Sequence, residues 1–143
     1  NETVLQTAIE AATACADIAR RTVLPHFRTS LRADAKSDDS PVTIADRQAE
    51  QAMRSILEAR LPEHAILGEE NGMSGAESDW LWVLDPIDGT RAFLTGRPTF
   101  GTLIALFYKG RPVLGLIDQP VTGERWLGVT GRPTTFLSER LPG

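Results

Sequence analysis

Apolar residues along this chain change their period at Pro62, and that switch confines it to a fold with helices first and strands after. Upstream, Val4, Ala8, Ala11, Cys15 and Ile18 recur at alternating spacings of four and three, which predicts an amphipathic helix over residues 3–24. Pro25 ends or kinks it, with residues 26–31 as a second short piece. Residues 33–42 are polar and turn-rich and read as a loop. A second helix is predicted from about residue 44 to 60, with Ala45, Ala49, Ala52, Met53, Ile56 and Leu57 as its apolar face. Thr43 and Asp46 have the spacing of an N-terminal capping box, and Pro62 stops the helix.

Downstream, short apolar runs at 65–68, 81–84, 103–108, 112–117 and 125–129 predict strands. The Gly-, Ser- and acid-rich residues 71–79 read as a flexible loop. Lys109-Gly110 and Thr122-Gly123 suit hairpins. No internal repeat is present. The order of elements predicts an α+β fold, with two N-terminal helices packed on a mainly antiparallel sheet.

The chain has 143 residues, 41% of them hydrophobic and 24% charged, enough for one domain with a real core. Its formal net charge of −4 argues against nucleic-acid binding by blanket phosphate neutralisation. A small phosphorylated substrate stays open, because a bound metal inverts the local field. The single cysteine, Cys15, cannot form an internal disulfide and sits on the apolar helix face, where it reads as buried and inert. No stretch approaches the about 18 apolar residues of a membrane span, and the N-terminus lacks a signal-peptide core. The expectation is a cytoplasmic protein with no membrane partner. The chain starts at Asn1 and ends on Leu141-Pro142-Gly143, so both ends are compatible with cuts.

The chemistry-bearing residues stand where predicted strands end. Glu69 and Glu70 follow the run 65–68. Asp85 and Asp88 follow Trp82-Val83-Leu84, in Asp85-Pro86-Ile87-Asp88-Gly89-Thr90, and Asp46 lies at the start of the second helix. Carboxylates just beyond buried strands suit a hard cation, and Mg²⁺ needs few protein oxygens because it keeps waters. Pro86 stiffens the Asp85–Asp88 turn. Gly89 gives the backbone room, a short helix is expected to begin there, and the N–H groups of Gly89 and Thr90 then suit a phosphate. Each piece has an ordinary reading by itself. Asp-Gly is a common turn pair, Glu69-Glu70 a solvated loop, Asp46 a helix cap and Lys36 a surface lysine. His26 and His64 lack metal-ligand spacing, and Trp80, Trp82 and Trp126 read as packing residues.

Taken together, the pieces resemble the inositol monophosphatase superfamily. Gly68-Glu69-Glu70 matches its Gly-Glu-Glu station, and the run from Trp82 to Thr90 matches its Asp-Pro-(Ile/Leu)-Asp-Gly-Thr signature without departure. Ser40-Pro41-Val42-Thr43-Ile44-Ala45-Asp46 matches its upstream segment, and order and spacing fit from about residue 1 to 137. Within the superfamily, Arg91-Ala92-Phe93, the run Gly96 to Ile104, and Gly115-Leu116-Ile117-Asp118-Gln119-Pro120 are similar to the histidinol-phosphate phosphatase branch.

The resemblance implies a phosphoric monoester hydrolase that uses two or three Mg²⁺ ions. Glu69, Asp85 and the main-chain carbonyl of Ile87 would hold the first. Asp85 would bridge to a second, which Asp88 also binds, and Asp46 would hold a third, mostly through water. Thr90, Asp46 and Glu69 form the implied catalytic set, with Thr90 orienting and deprotonating the attacking water. Gly89 and Thr90 cradle the phosphate, and Lys36 is an outer electrostatic contact. The implied substrate is histidinol phosphate, with inositol 1-phosphate or another sugar phosphate as the alternative. The family's further aspartate, from a Trp-Asp-x-Ala-like motif, has no counterpart here. The chain therefore resembles the N-terminal metal- and phosphate-binding half of the family's fold, without its C-terminal domain. A half-fold of this kind is expected to expose apolar sheet surface and to form a homo-oligomer. A fragment that binds metal and phosphate but does not turn over is the competing reading.

Overall fold

The computed structural model describes residues 2–29 and 41–139, with the backbone alone for 41–43. Helix α1 spans Glu2–Val23 and is followed by a 3-10 turn over Leu24–His26, where Pro25 ends the α-helical ladder. Helix α2 spans Pro41–Arg60. It begins three residues earlier than the periodicity indicated, at a residue type favoured in the first helical turn. Thr43 thus lies inside the helix, and the capping-box reading of Thr43 and Asp46 is corrected. The two helices meet through small side chains: Ala8, Ala11, Ala12, Cys15, Ala16 and Ala19 on α1, and Ala45 and Ala49 on α2, all fully buried. Such residues let helix axes approach closely.

Among the described residues, seven strands form one sheet in the order β2-β1-β3-β4-β5-β6-β7. They are β1 (Ala65–Gly68), β2 (Gly72–Ser74), β3 (Trp80–Asp88), β4 (Gly101–Tyr108), β5 (Arg111–Gln119), β6 (Glu124–Val129) and β7 (Thr135–Ser138). A short helix α3, Thr90–Leu94, interrupts β3 and β4. The β1–β3 pairing is parallel and every other pairing antiparallel. Two strands correct the sequence reading. Residues 72–74, expected in a flexible loop, pair with β1, and residues 135–138 add the far edge. Both are too short and polar to carry a period-2 signal, and they are strands because a neighbour completes their hydrogen bonds.

Helices α1 and α2 cover one face. Trp82 and Leu84 from β3, Ile104 and Leu106 from β4, and Leu114 and Leu116 from β5 point beneath them, each 2% exposed or less. Burying each contributes roughly 1.5–3 kcal/mol. The alternate residues face away from the helices, and Leu67, Met73, Ile117 and Trp126 are exposed there. Among the described residues, no helix is long and apolar enough to cross a membrane.

Candidate metal and phosphate site

Parallel pairing brings the first two acidic stations together. The last rung between β1 and β3 joins Gly68 to Leu84, so Glu69 and Asp85 are the next residue outward on neighbouring strands. Adjacent strands run roughly 4.8 Å apart, which puts the two carboxyls within reach of each other. Beyond Asp85 the β3–β4 register shifts before Asp88 pairs with Gly101. A bulge of this kind re-aims side chains next to a site. The turn is held by the Thr102 hydroxyl, which donates to the Pro86 carbonyl at 2.8 Å. Gly89 then takes a left-handed conformation, φ 93°, as the N-cap of α3. A β-carbon there would lie 3.1 Å from the Thr99 carbonyl oxygen and 3.3 Å from Phe100 Cα, so only glycine fits comfortably. The buried Phe93 fastens α3 to the core, and its N–H bonds the Gly89 carbonyl.

The third station comes from α2. Asp46, Glu50 and Arg54 are spaced by four and share one helix face. All three are buried: Asp46 is 5% exposed, Glu50 0% and Arg54 5%. Glu50 Oε1 accepts the Glu70 N–H at 3.0 Å, and its Oε2 accepts the Asn71 N–H at 2.8 Å. Arg54 Nε bonds the same Oε2 at 3.3 Å. The guanidinium continues to Ser74 Oγ at 3.2 Å and to the Gly72 carbonyl.

Electrostatics mark the same place. Asp46 is pushed up to about 7, first by burial, then by the charges of Glu70, Glu69 and Asp85, against a backbone hydrogen bond from Ile87. Asp85 is pushed up to about 6, again first by burial, then by the hydrogen bond and charge of Glu69 and the charge of Asp88. A backbone hydrogen bond from Ile87 opposes this shift too. Burial also raises Glu70, helped by Glu69 and Glu50 and offset by Arg47. Among the described residues, Oδ1 of Asp46 and Oδ1 of Asp85 are buried acceptors with no hydrogen-bond partner. Buried polar atoms are normally satisfied, and these two lie in a field of negative charge, with the Asp85 charge among those felt by Asp46. An oxygen-seeking dication fits that donor set.

Asp46, Glu69 and Asp85 are thus close enough to perturb one another, and Asp88 acts on Asp85. Among the described residues, however, no three Asp, Glu, His or Cys side chains enclose a common point as a ready metal cage. Ile87 is buried with its backbone at the cluster, whereas Asp88, Gly89 and Thr90 are exposed at the open end of β3. Lys36 lies outside the described residues. Cys15 is buried, and its thiol is pushed up to about 12 by burial. His64 is a packing residue: its Nδ1 accepts the Trp82 indole N–H at 3.0 Å, and its ring stacks on Trp80. Sequence reasoning missed Glu50, Thr102 and Gln119. The side-chain amide of Gln119 donates to the Pro98 and Phe100 carbonyls beside Gly89. Only Glu50 left a signal, the Asp46-Glu50-Arg54 spacing on a helix face that is otherwise apolar.

Residues 1–143 match the model of the inositol monophosphatase family. The chain belongs to this family. It is 55% identical over 128 residues to the bifunctional phosphatase IMPL2, chloroplastic, of Arabidopsis thaliana, covering 88% of this chain and 37% of that one. It is 40% identical to the histidinol-phosphatase of Chlorobaculum parvum, covering 89% of this chain and 48% of the relative. A solved inositol monophosphatase from Zymomonas mobilis superposes with a TM-score of 0.84 at 54% identity, over 94% of this chain and 51% of that chain. The chain thus spans about half the length of the structure, or less of the curated relatives. These three proteins carry the names of phosphatases, and the shared fold is two helices on a mostly antiparallel sheet.

Proposed function

We propose that this chain is the metal- and phosphate-binding half of a Mg²⁺-dependent phosphatase for a small phosphate monoester. The observation that carries the reading is the pair of buried oxygens, Asp46 Oδ1 and Asp85 Oδ1, that have no hydrogen-bond partner among the described residues and lie in the field of further carboxylates. Glu69, Asp85 and the Ile87 carbonyl would hold one ion, Asp85 and Asp88 a second, and Asp46 a third. Bound Mg²⁺ supplies an acidified water and offsets the charge of the phosphoryl oxygens. The chain's own groups do the positioning. Thr90 would orient the attacking water and relay its proton, its hydroxyl passing its own proton to the Asp46 carboxylate, with Glu69 completing the set. Gly89 and Thr90 N–H groups would orient the phosphate, and Lys36, from the sequence, would add a positive charge.

Histidinol phosphate is the substrate we assign, supported by the histidinol-phosphatase among the relatives and by the run Arg91 to Ile104. A second reading, inositol 1-phosphate, is favoured by the similarity to the Zymomonas protein. The exposed apolar residues Leu67, Met73, Ile117 and Trp126 support self-association. The experiment is phosphate release from both substrates, with and without Mg²⁺, on this chain and on Asp85→Asn. Mg²⁺-dependent release from histidinol phosphate, lost in the variant, is the expected result. Faster release from inositol 1-phosphate would transfer the assignment to the second reading. No release from a folded chain that still binds Mg²⁺ would make this half a binding module.

A further inference from the structure

We infer that Glu50 is a positioning residue that sets the Glu69-Glu70 turn against the rest of the metal site, an inference resting on the metal role proposed for Glu69. Glu50 carries none of the roles assigned above, yet it is the one fully buried carboxylate on α2. Both its oxygens are committed to the turn that follows β1: Oε1 takes the Glu70 N–H at 3.0 Å and Oε2 the Asn71 N–H at 2.8 Å. Its carboxylate fills the space that a β-carbon at Gly68 would occupy, which would lie 2.2 Å from Oε1. The turn and the helix therefore interlock at the residue directly before Glu69.

The same helix face carries Asp46 one turn earlier, with its carboxyl against the Ile87 backbone and within reach of the Glu69 and Asp85 charges. α2 thus delivers one carboxylate to the site and, through Glu50, grips the strand end that delivers another. Arg54 completes the grip by bonding Glu50, Ser74 and Gly72 on the β2 side. Ligands are held in binding geometry by such outer partners, and their loss typically weakens metal affinity by about 10–100-fold. A residue that merely stabilised the fold would change the unfolding midpoint and leave the affinity of the folded chain alone.

The test is Mg²⁺ binding by calorimetry on the folded chain, with hydrogen exchange of the Glu70 and Asn71 amides as a second readout. Glu50→Gln keeps the size and one carbonyl acceptor, and Glu50→Asp keeps the charge for Arg54 but draws it back from the turn. Both are expected to weaken Mg²⁺ binding by about 10–100-fold and to speed exchange of the two amides. Met53→Ala, a core cavity on the same helix, is expected to lower the unfolding midpoint with Mg²⁺ affinity unchanged. Glu69→Gln separates the two layers of the argument. If wild type binds no Mg²⁺, or Glu69→Gln binds it as wild type does, the metal reading itself fails. If Glu69→Gln loses binding while a folded Glu50→Gln or Glu50→Asp keeps the wild-type affinity, the role of Glu50 is overturned. Should Glu50→Gln not fold, the Glu50→Asp result decides.

Discussion

Replacing Gly68 by alanine is the sharpest perturbation the structure offers. The new β-carbon would stand 2.2 Å from Glu50 Oε1, 2.3 Å from its carboxyl carbon and 2.7 Å from Oε2. A flexible side chain ordinarily swings clear, but Glu50 is 0% exposed and bonded to Glu70, Asn71 and Arg54. Its retreat breaks the two main-chain bonds, each a hydrogen bond to a charged group worth roughly 1.5–3 kcal/mol. Alanine returns roughly 0.4–1 kcal/mol by restricting the unfolded chain. The net loss is about 2–5 kcal/mol, a large share of the roughly 5–15 kcal/mol that holds a domain together. Urea unfolding reads this as a lower midpoint at unchanged slope. The cycle with Glu50→Ala isolates the cause. Without the Glu50 carboxylate, Gly68→Ala should keep only the roughly 0.4–1 kcal/mol gain from restricting the unfolded chain. A Gly68→Ala chain as stable as wild type, or a cycle in which the two losses simply add, would refute the interlock.

Three further outcomes follow from the same geometry. Asp46 and Asp85 hold protons up to about 7 and about 6 in the folded chain, against 3.8 for the free side chain. The native state therefore binds more protons than the unfolded state across that window, so without metal, stability should fall as pH rises from about 4 to 7. In thermal melts, Mg²⁺ should raise the midpoint more at pH 7.5 than at pH 5, and a flat pH profile in EDTA contradicts the electrostatic picture. Thr102→Val removes the hydrogen bond to the Pro86 carbonyl and should destabilise by roughly 1–3 kcal/mol, read from the urea midpoint, because a buried acceptor is left unpaired. Cys15, with its thiol pushed up to about 12, should resist a thiol reagent at pH 8 in the native chain and react once urea unfolds it.

Much of the fold and part of the site are written locally in the sequence. The small apolar residues at 8, 11, 15 and 45, 49 mark the helix faces that become the α1–α2 contact, because helical periodicity is a property of neighbouring residues. The runs at 65–68 and 103–108 mark strands for the same reason. Glu69 and Asp85 are legible as candidate site residues because they stand directly after such runs, with Asp88 three residues further on. Other features depend on partners distant in the chain. β2 and β7 are strands only because β1 and β6 supply their hydrogen bonds. The first turn of α2 runs past the local capping signal at Thr43. Glu50 leaves only its spacing with Asp46 and Arg54 as a local signal, and its role emerges when the fold sets it behind Gly68, 18 positions later in the numbering. The raised proton affinities of Asp46 and Asp85 likewise arise where α2, β1 and β3 converge. The sequence by itself determined the two long helices, the strands that carry their own apolar runs, and which carboxylates stand at their ends. Tertiary packing decided which of those carboxylates share one low-dielectric corner, since desolvation and charge repulsion depend on distances through space rather than along the chain.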